Sequence, residues 1–96
     1  MAHSNLSPKW LEEGVLRLPE VVNVATVPVI LKWVEASSKF ISVVDFSKVE
    51  QADSVALALI LSFQMEASQS IEVRHLPEEL TTLVHLYDLD QVFQLS

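Results

Sequence analysis

The residues with the clearest chemical potential are Asp53 and Ser54, at a junction between an apolar strand and an apolar helix. The strand is predicted to end at Asp45, and functional groups of open α/β sheets gather where strands end and helices begin. In the first helical turn the unpaired N–H groups and the helix dipole favour negative charge. A phosphate on Ser54 would be tolerated there, although Asp53 beside it opposes part of that gain. The plainer interpretation, which spacing alone favours, is that Asp53 caps the helix and Ser54 merely follows it.

The same helix provides a candidate partner-binding surface, because some of its apolar residues fall on the side predicted to face solvent. Ser62 and Glu66 mark that side, and Val55, Ala58 and Leu59 are predicted to lie next to them. Apolar residues on the solvent side of a helix start are typical of a surface that a partner protein covers. Scattered surface aliphatics, which every protein carries, explain the pattern about equally well. The predicted partner-binding residues are Asp53, Ser54, Val55, Ala58 and Leu59.

No set of residues in the chain predicts catalysis, a cofactor or a metal. The single glycine cannot build a glycine-rich phosphate loop. A triad of Ser54, His85 and Asp45 can be written down, but nothing in the sequence brings these residues together. The histidines lack metal-ligand spacing and have no cysteine company; they are His3, His75 and His85. We therefore predict a protein that is not an enzyme.

Length and charge restrict the possible classes of protein. The 96 residues predict one domain, residues 1–96, and the 50% hydrophobic content is enough to fill its core. Six Lys and Arg oppose 13 Asp and Glu, a net charge of −7, and the basic residues are scattered singly. Such a chain repels nucleic acid and anionic lipid headgroups alike. The absence of cysteine fits a reducing compartment.

The chain shows no targeting or membrane-spanning pattern. The first ten residues lack both the basic and the apolar region of a signal peptide. The longest apolar runs, VPVIL and VALALIL, are far too short to cross a bilayer. We therefore expect a soluble cytosolic protein.

Hydrophobic periodicity predicts strands that alternate with helices, hence an α/β fold with a mostly parallel sheet and helices on both of its sides. Gly14 supplies positive φ to an N-terminal hairpin, Pro28 lies in the first turn of the first helix, and Thr26 caps that helix. The last helix has a predicted apolar stripe of Leu80, Leu83, Val84 and Tyr87. The predicted elements are strands at 10–11 and 15–18, a helix within 20–38, a strand at 39–45, a polar turn at 46–51, a helix at 55–68, a strand at 70–74, a helix opened by Pro77 and a tail at 89–95.

The block VVDFSKVEQADSVALALIL (residues 43–61) resembles the signature of STAS domains, the family of anti-sigma factor antagonists. In that family a strand ending in aspartate leads through a short polar loop to Asp-Ser or Asp-Thr, which opens an apolar helix. Asp45 and the pair Asp53-Ser54 match these positions. The segments VLRLPEV and LVHLYDLDQVF (residues 83–93) also fit. The second of these is similar to the MlaB branch, the small STAS subunits of the Mla lipid-transport ABC complex.

This resemblance implies a mixed, mostly parallel sheet with packed helices and a role without catalysis. MlaB-like proteins lie in the cytoplasm, peripheral to the inner membrane, where they bind the MlaF-like ATPase and support its assembly and activity. The MlaE-like permease and an MlaD-like subunit complete that complex, which moves phospholipid and maintains outer-membrane lipid asymmetry. The position of Ser54 belongs to the ATPase-docking surface of this branch. In sporulation-type relatives the same position is a phosphorylated serine.

The chain departs from both family patterns at one place, and two alternatives stay open. A glycine usually follows Asp-Ser within two residues, whereas here Val55 and Ala56 make a bulkier helix start, which disfavours access by a kinase. The first alternative is nevertheless an anti-sigma factor antagonist regulated by phosphorylation at Ser54. The second is an acyl carrier protein, which is disfavoured because FISVVD and SIEVR are strand-like and residues 55–65 contain no acid.

Overall fold

A computed structural model describes residues 11–37 and 40–96 of the chain. His3, Trp10 and Lys39, which figure in the predictions above, lie outside the described residues. A single turn of 3-10 helix, Leu89–Gln91, precedes the last strand. The elements in chain order are β1 (Leu11–Glu12), β2 (Val15–Arg17), β3 (Val21–Val22), α1 (Val27–Ser37), β4 (Val43–Asp45), β5 (Gln51–Ala52), α2 (Val55–Glu66), β6 (Glu72–Arg74), α3 (Glu78–Leu86) and β7 (Gln94–Leu95).

Five strands form the main sheet, in the order β1-β2-β4-β6-β7. β1 and β2 are antiparallel, and every other pair in this sheet is parallel. A separate two-stranded parallel sheet joins β3 to β5. The predicted α/β class and mostly parallel sheet are therefore confirmed. The seven described strands also exclude the acyl carrier alternative, since carriers are all-helical.

The N-terminal hairpin forms where the single glycine predicts it. Glu13 (φ 55°) and Gly14 (φ 82°) make the turn between β1 and β2, with positive φ at both positions, as a type I′ hairpin turn requires. The carbonyl of Gly14 accepts hydrogen bonds from the backbone N–H groups of Ser42 (2.8 Å) and Val43 (3.1 Å). The turn therefore also fixes the start of β4.

The described helices pack on one face of the main sheet. Leu16, Val44 and Val73 are in register on β2, β4 and β6, and each is almost completely buried. They belong to one apolar cluster with the buried residues of all three helices, whereas Val43, on the opposite face, does not. The prediction of helices on both sides is thus wrong for the described part of the chain. Successive side chains of a strand point to opposite faces of the sheet, and the face without helices carries the charged residues Arg17, Asp45 and Arg74. A charged face is unfavourable for packing an apolar helix.

One strand is much shorter than predicted, and another forms where no strand is predicted. β4 begins at Val43 rather than residue 39, and Phe40 is 89% exposed, so the apolar run is longer than the strand. β5 falls within a segment predicted as a polar turn, and Phe46 of that segment is fully buried. A two-residue strand carries no periodicity of its own, and its partner β3 lies about thirty residues earlier in the chain.

Two details of the helices also differ. Asn23, not Thr26, supplies the side-chain cap before α1: its Oδ1 accepts from the N–H groups of Ala25 (2.9 Å) and Thr26 (3.1 Å). The hydroxyl of Thr26 instead accepts from the N–H of Asn23 at 2.9 Å. Tyr87 is 64% exposed, because α3 ends at Leu86 and the next residues turn away from its apolar stripe.

Among the described residues, every helix is too short or too polar to cross a membrane.

Candidate functional site

The start of α2 is held in place by the small second sheet. The carbonyl of Glu20 accepts hydrogen bonds from the N–H groups of Glu50 (2.7 Å) and Gln51 (2.9 Å), and β5 then pairs with β3. Phe46 lies in the core at the beginning of this segment, and its N–H binds the carbonyl of Arg74 at 2.9 Å. Both ends of the loop between β4 and α2 are thereby fixed, so the helix starts from a defined position.

Asp45, the strand-ending aspartate, organises the turn that follows β4. Its two carboxylate oxygens accept hydrogen bonds from the backbone N–H (2.9 Å) and the hydroxyl (3.1 Å) of Ser47. Arg17 lies opposite on β2, with its Nε 3.9 Å from the Asp45 carboxylate. An aspartate that binds its own backbone two residues later stabilises a turn. The structure therefore gives Asp45 a positioning role.

Asp53 and Ser54 form the beginning of α2, and the Asp53 carboxylate caps the helix as predicted. Its Oδ1 accepts from the N–H of Val55 at 2.9 Å. The next two N–H groups, of Ala56 and Leu57, bind the carbonyls of Asp53 and Ser54, each at 3.0 Å. Ser54 itself is exposed, and its side chain makes no capping hydrogen bond. The expectation of unpaired N–H groups around Ser54 is therefore wrong for Val55, Ala56 and Leu57.

An exposed stripe runs along α2 from Ser54, and we call Ser54, Ala58, Leu61 and Met65 the α2 stripe. These positions recur at intervals of four, three and four residues, which places them on one side of a helix. Ser54 and Ala58 are exposed, Leu61 is half-buried and Met65 is 87% exposed. Val55 lies beside the stripe and is half-buried. No charged residue occurs between Val55 and Met65, so this surface carries no charge along that length, and Ala58, Leu61 and Met65 make most of it apolar.

The structure corrects one predicted site residue, Leu59. Its side chain is 2% exposed and belongs to the core cluster, so it does not lie on the solvent side of α2. Successive helical residues are rotated by about 100°, and this step carries Leu59 from the exposed side of Ala58 to the interior. The sequence interpretation does not single out Met65, which is exposed, or Leu61, which is half-buried. Their spacing from Ser54 and Ala58 is the signal that could have found them.

The catalytic alternatives do not assemble in the described chain. His85 is 3.4 Å from the carboxylate of Asp90, on the turn after α3, while Asp45 binds Ser47. Asp45 and His85, which would form the triad with Ser54, thus contact other residues instead. No group of three or more His, Asp or Glu residues within 11–37 and 40–96 has the arrangement of a metal site.

A charged pair lies on the sheet face opposite the helices. Arg74 Nε donates to Glu72 Oε2 at 2.7 Å. This hydrogen bond, with a second from Ser96, lowers the pKa of Glu72, and the same contact raises the pKa of Arg74. Asp45 is in register with Arg74 and adds to the local negative charge. The sheet face opposite the helices is therefore charged, whereas the α2 stripe carries no charge.

The fold and the Asp-Ser helix start define a class of small α/β domain with an exposed surface on its second helix. The family model described as Mlab, STAS domain, matches residues 9–95. The chain belongs to this STAS-domain family. No curated protein is similar enough to count as a relative.

Proposed function

We propose that this protein is a non-catalytic subunit that binds and supports the ATPase of an ABC-type phospholipid transporter. In this proposal it lies in the cytoplasm at the inner membrane and contributes to outer-membrane lipid asymmetry. Its ATPase partner is MlaF-like, with an MlaE-like permease and an MlaD-like subunit in the same complex. Membership of the MlaB-like STAS family supports this function.

The observation that carries the proposal is the apolar, exposed α2 stripe beside the family's Asp-Ser pair. An exposed helix face without charge is favourable to bury against another protein, because no ion must be desolvated. Asp53 and the small second sheet fix the orientation of that face before a partner binds. A preorganised surface loses less conformational entropy on binding. The proposed contact residues are Ser54, Val55, Ala58, Leu61 and Met65, with Asp53 at the edge of the contact, where its carboxylate stays in water.

The test uses an exposed position in the middle of the stripe. Ala58→Asp introduces a charge there without disturbing the core, and we expect it to weaken ATPase binding roughly thirtyfold or more, as at interface hot spots. Thr82→Asp is the matched control, because Thr82 is also exposed within a helix, α3, away from the stripe. Both variants should unfold within a few degrees of the unmodified protein.

The measurement is affinity purification of each tagged variant from detergent-solubilised native membranes, with quantitative mass spectrometry. We expect an ABC ATPase and a permease with the unmodified protein and with Thr82→Asp, and neither with Ala58→Asp. Equal recovery with both variants would show that the stripe is not the docking surface. Failure of the unmodified protein to recover any ABC ATPase would contradict the proposed function itself.

A second candidate function, an anti-sigma factor antagonist, is favoured by the exposed hydroxyl of Ser54, which makes no cap bond. In this proposal a kinase phosphorylates Ser54 and the charge releases the partner. The Asp53 carboxylate disfavours phosphorylation of Ser54, because this carboxylate already binds the N–H of Val55 and repels a neighbouring phosphate. Intact mass of the protein from its native host tests this function: a phosphorylated fraction that disappears in Ser54→Ala supports it, and an entirely unmodified protein contradicts it.

A further inference from the structure

The starts of α1 and α2 lie at the same edge of the small second sheet, because the two strands that precede these helices are neighbours. β3 and β5 are parallel, with Val22 in register with Ala52. Neighbouring parallel strands run in the same direction and end at the same edge of their sheet. Val24 and Ser54, each two residues beyond the registered pair, therefore both lie at that edge.

One flank of α1 faces α2, and Pro28 lies on it. Residues of both helices line one groove between them, namely Leu31 and Glu35 of α1 and Ser62 and Glu66 of α2. Pro28 is exposed two helical turns before Glu35 and therefore shares its flank. Ala58 is exposed about one turn before Ser62, which places it on the side of α2 that faces α1. Pro28 is thus a neighbour of the α2 stripe.

Val24 is presented on a turn that hydrogen bonds hold in place. The Thr26 hydroxyl accepts from the N–H of Asn23 at 2.9 Å, and the carbonyl of Asn23 accepts from the N–H of Val27 at 2.9 Å. The Val24 side chain is 74% exposed, so it contributes little to the core. An apolar side chain on a fixed backbone can be covered by a partner with little loss of conformational entropy.

The two segments that meet at this edge carry no charge. Residues 21–31 and residues 54–65 contain no Asp, Glu, Lys or Arg. Apolar side chains of a partner can cover both segments without desolvating an ion of either one. The start of α1 therefore continues the uncharged surface of the α2 stripe.

We infer that the docking surface for the ATPase extends from the α2 stripe onto the start of α1, where Val24 and Pro28 pack against an uncharged, apolar segment of the ATPase. This extension rests on the proposed function, since it names further contacts of the same partner. Val24 is expected to contribute most of the added binding, because its aliphatic side chain has the larger apolar area to bury.

The test is site-specific photo-crosslinking from single cysteines. The chain contains no cysteine, so each introduced thiol is the only attachment point for a benzophenone label. The labelled variants are Val24→Cys, Ala58→Cys on the α2 stripe, and Val29→Cys as the matched control. Val29 is 45% exposed, but it precedes Leu31 by two residues and so lies on the side of α1 away from the groove. Each variant is incubated with detergent-solubilised native membranes and irradiated, and the linked proteins are identified by mass spectrometry.

We expect Val24→Cys and Ala58→Cys to link to the same ABC ATPase, and Val29→Cys to link to it at least roughly tenfold less. Links from Ala58→Cys alone would overturn the extension onto α1 and leave the proposed function in place. Equal links from Val24→Cys and Val29→Cys would also overturn it, because contact would then not follow the flank that faces α2. No ABC ATPase linked from any of the three positions would contradict the proposed function itself.

A matched pair of substitutions measures the contribution to binding. Val24→Asp should lower the recovery of the ATPase roughly tenfold or more, whereas Val29→Asp, the same change on the other side of α1, should leave it unchanged. Both positions are exposed, so both variants should unfold within a few degrees of the unmodified protein. Equal recovery with the two variants would contradict a role for Val24 in docking.

Discussion

The carboxylate of Asp53 accepts a hydrogen bond from the backbone N–H of Val55 at 2.9 Å, which ties the family's Asp-Ser pair to the first turn of α2. The same carboxylate lies beside Ser54, whose own side chain makes no capping bond. The aspartate therefore stabilises the helix start, and the serine remains exposed to solvent. This division of roles leads to the first prediction.

Asp53→Ala should lower the free energy of unfolding by about 1 kcal/mol, because the N–H of Val55 loses its acceptor at a helix start. The measurement is urea unfolding followed by circular dichroism. Asp53→Asn keeps an acceptor oxygen and should lose only a few tenths of a kcal/mol. Ser54→Ala should have no measurable effect, and a loss as large as that of Asp53→Ala would contradict the assignment of the cap.

Leu59→Ala should destabilise the protein by about 2–5 kcal/mol, because it leaves a cavity in the core between α2 and the sheet. Leu61→Ala is the matched control, since the same atoms are removed from a half-buried side chain on the α2 stripe. We expect this control to lose less than half as much stability and to weaken partner binding instead. Equal destabilisation by the two substitutions, measured by urea unfolding, would contradict the orientation of α2.

Gly14→Ala should destabilise the hairpin by about 1–2 kcal/mol, because φ at this position is +82° and an L side chain is strained there. An added Cβ would also lie 2.8 Å from the hydroxyl oxygen of Ser42. Thermal unfolding provides the measurement. Asn tolerates positive φ better than Ala, so Gly14→Asn should retain more stability if backbone strain dominates. In the background of Ser42→Gly the steric contact is removed, and only the strain should remain.

The Glu72–Arg74 pair should make stability depend on pH. The pKa of Glu72 is lowered in the folded protein, chiefly by the hydrogen bond from Arg74, below the 4.5 of an unperturbed glutamate. The folded state then holds its proton less tightly than the unfolded state, so the contribution is complete above the unfolded value and is lost as pH falls through the folded one. Glu72→Gln should be less stable than the unmodified protein at neutral pH, and this difference should vanish in acid.

Direct titration of the Glu72 carboxyl carbon by NMR checks the cause of that shift. In Arg74→Gln the pKa of Glu72 should move upward, because the first of its two hydrogen-bond donors is removed. An unchanged titration in this variant would show that Arg74 does not hold the carboxylate. The exposed pair contributes little to overall stability, so the NMR titration is the more direct of the two measurements.

Local patterns were sufficient for much of this fold. Gly14 marks the hairpin because positive φ is a property of one residue and its immediate neighbours. The Asp53 cap and the long apolar run predict α2 within two residues of its observed end at Glu66. The block from Asp45 to Ser54 indicates the STAS family, and the match over residues 9–95 confirms it.

Tertiary packing decided which side of each element is buried. The first two turns of α2, residues 55–61, are apolar on all sides, so they contain no contrast that assigns Leu59 to the core and Leu61 to the stripe. The sheet beneath the helix makes that choice. The pairing of β3 with β5 joins two-residue strands distant in the chain, and strands that short have no readable period. The charges of Arg17, Asp45 and Arg74 share a face only because β2, β4 and β6 pair in that register. Contacts between distant segments depend on the closed fold, and local sequence patterns do not encode them.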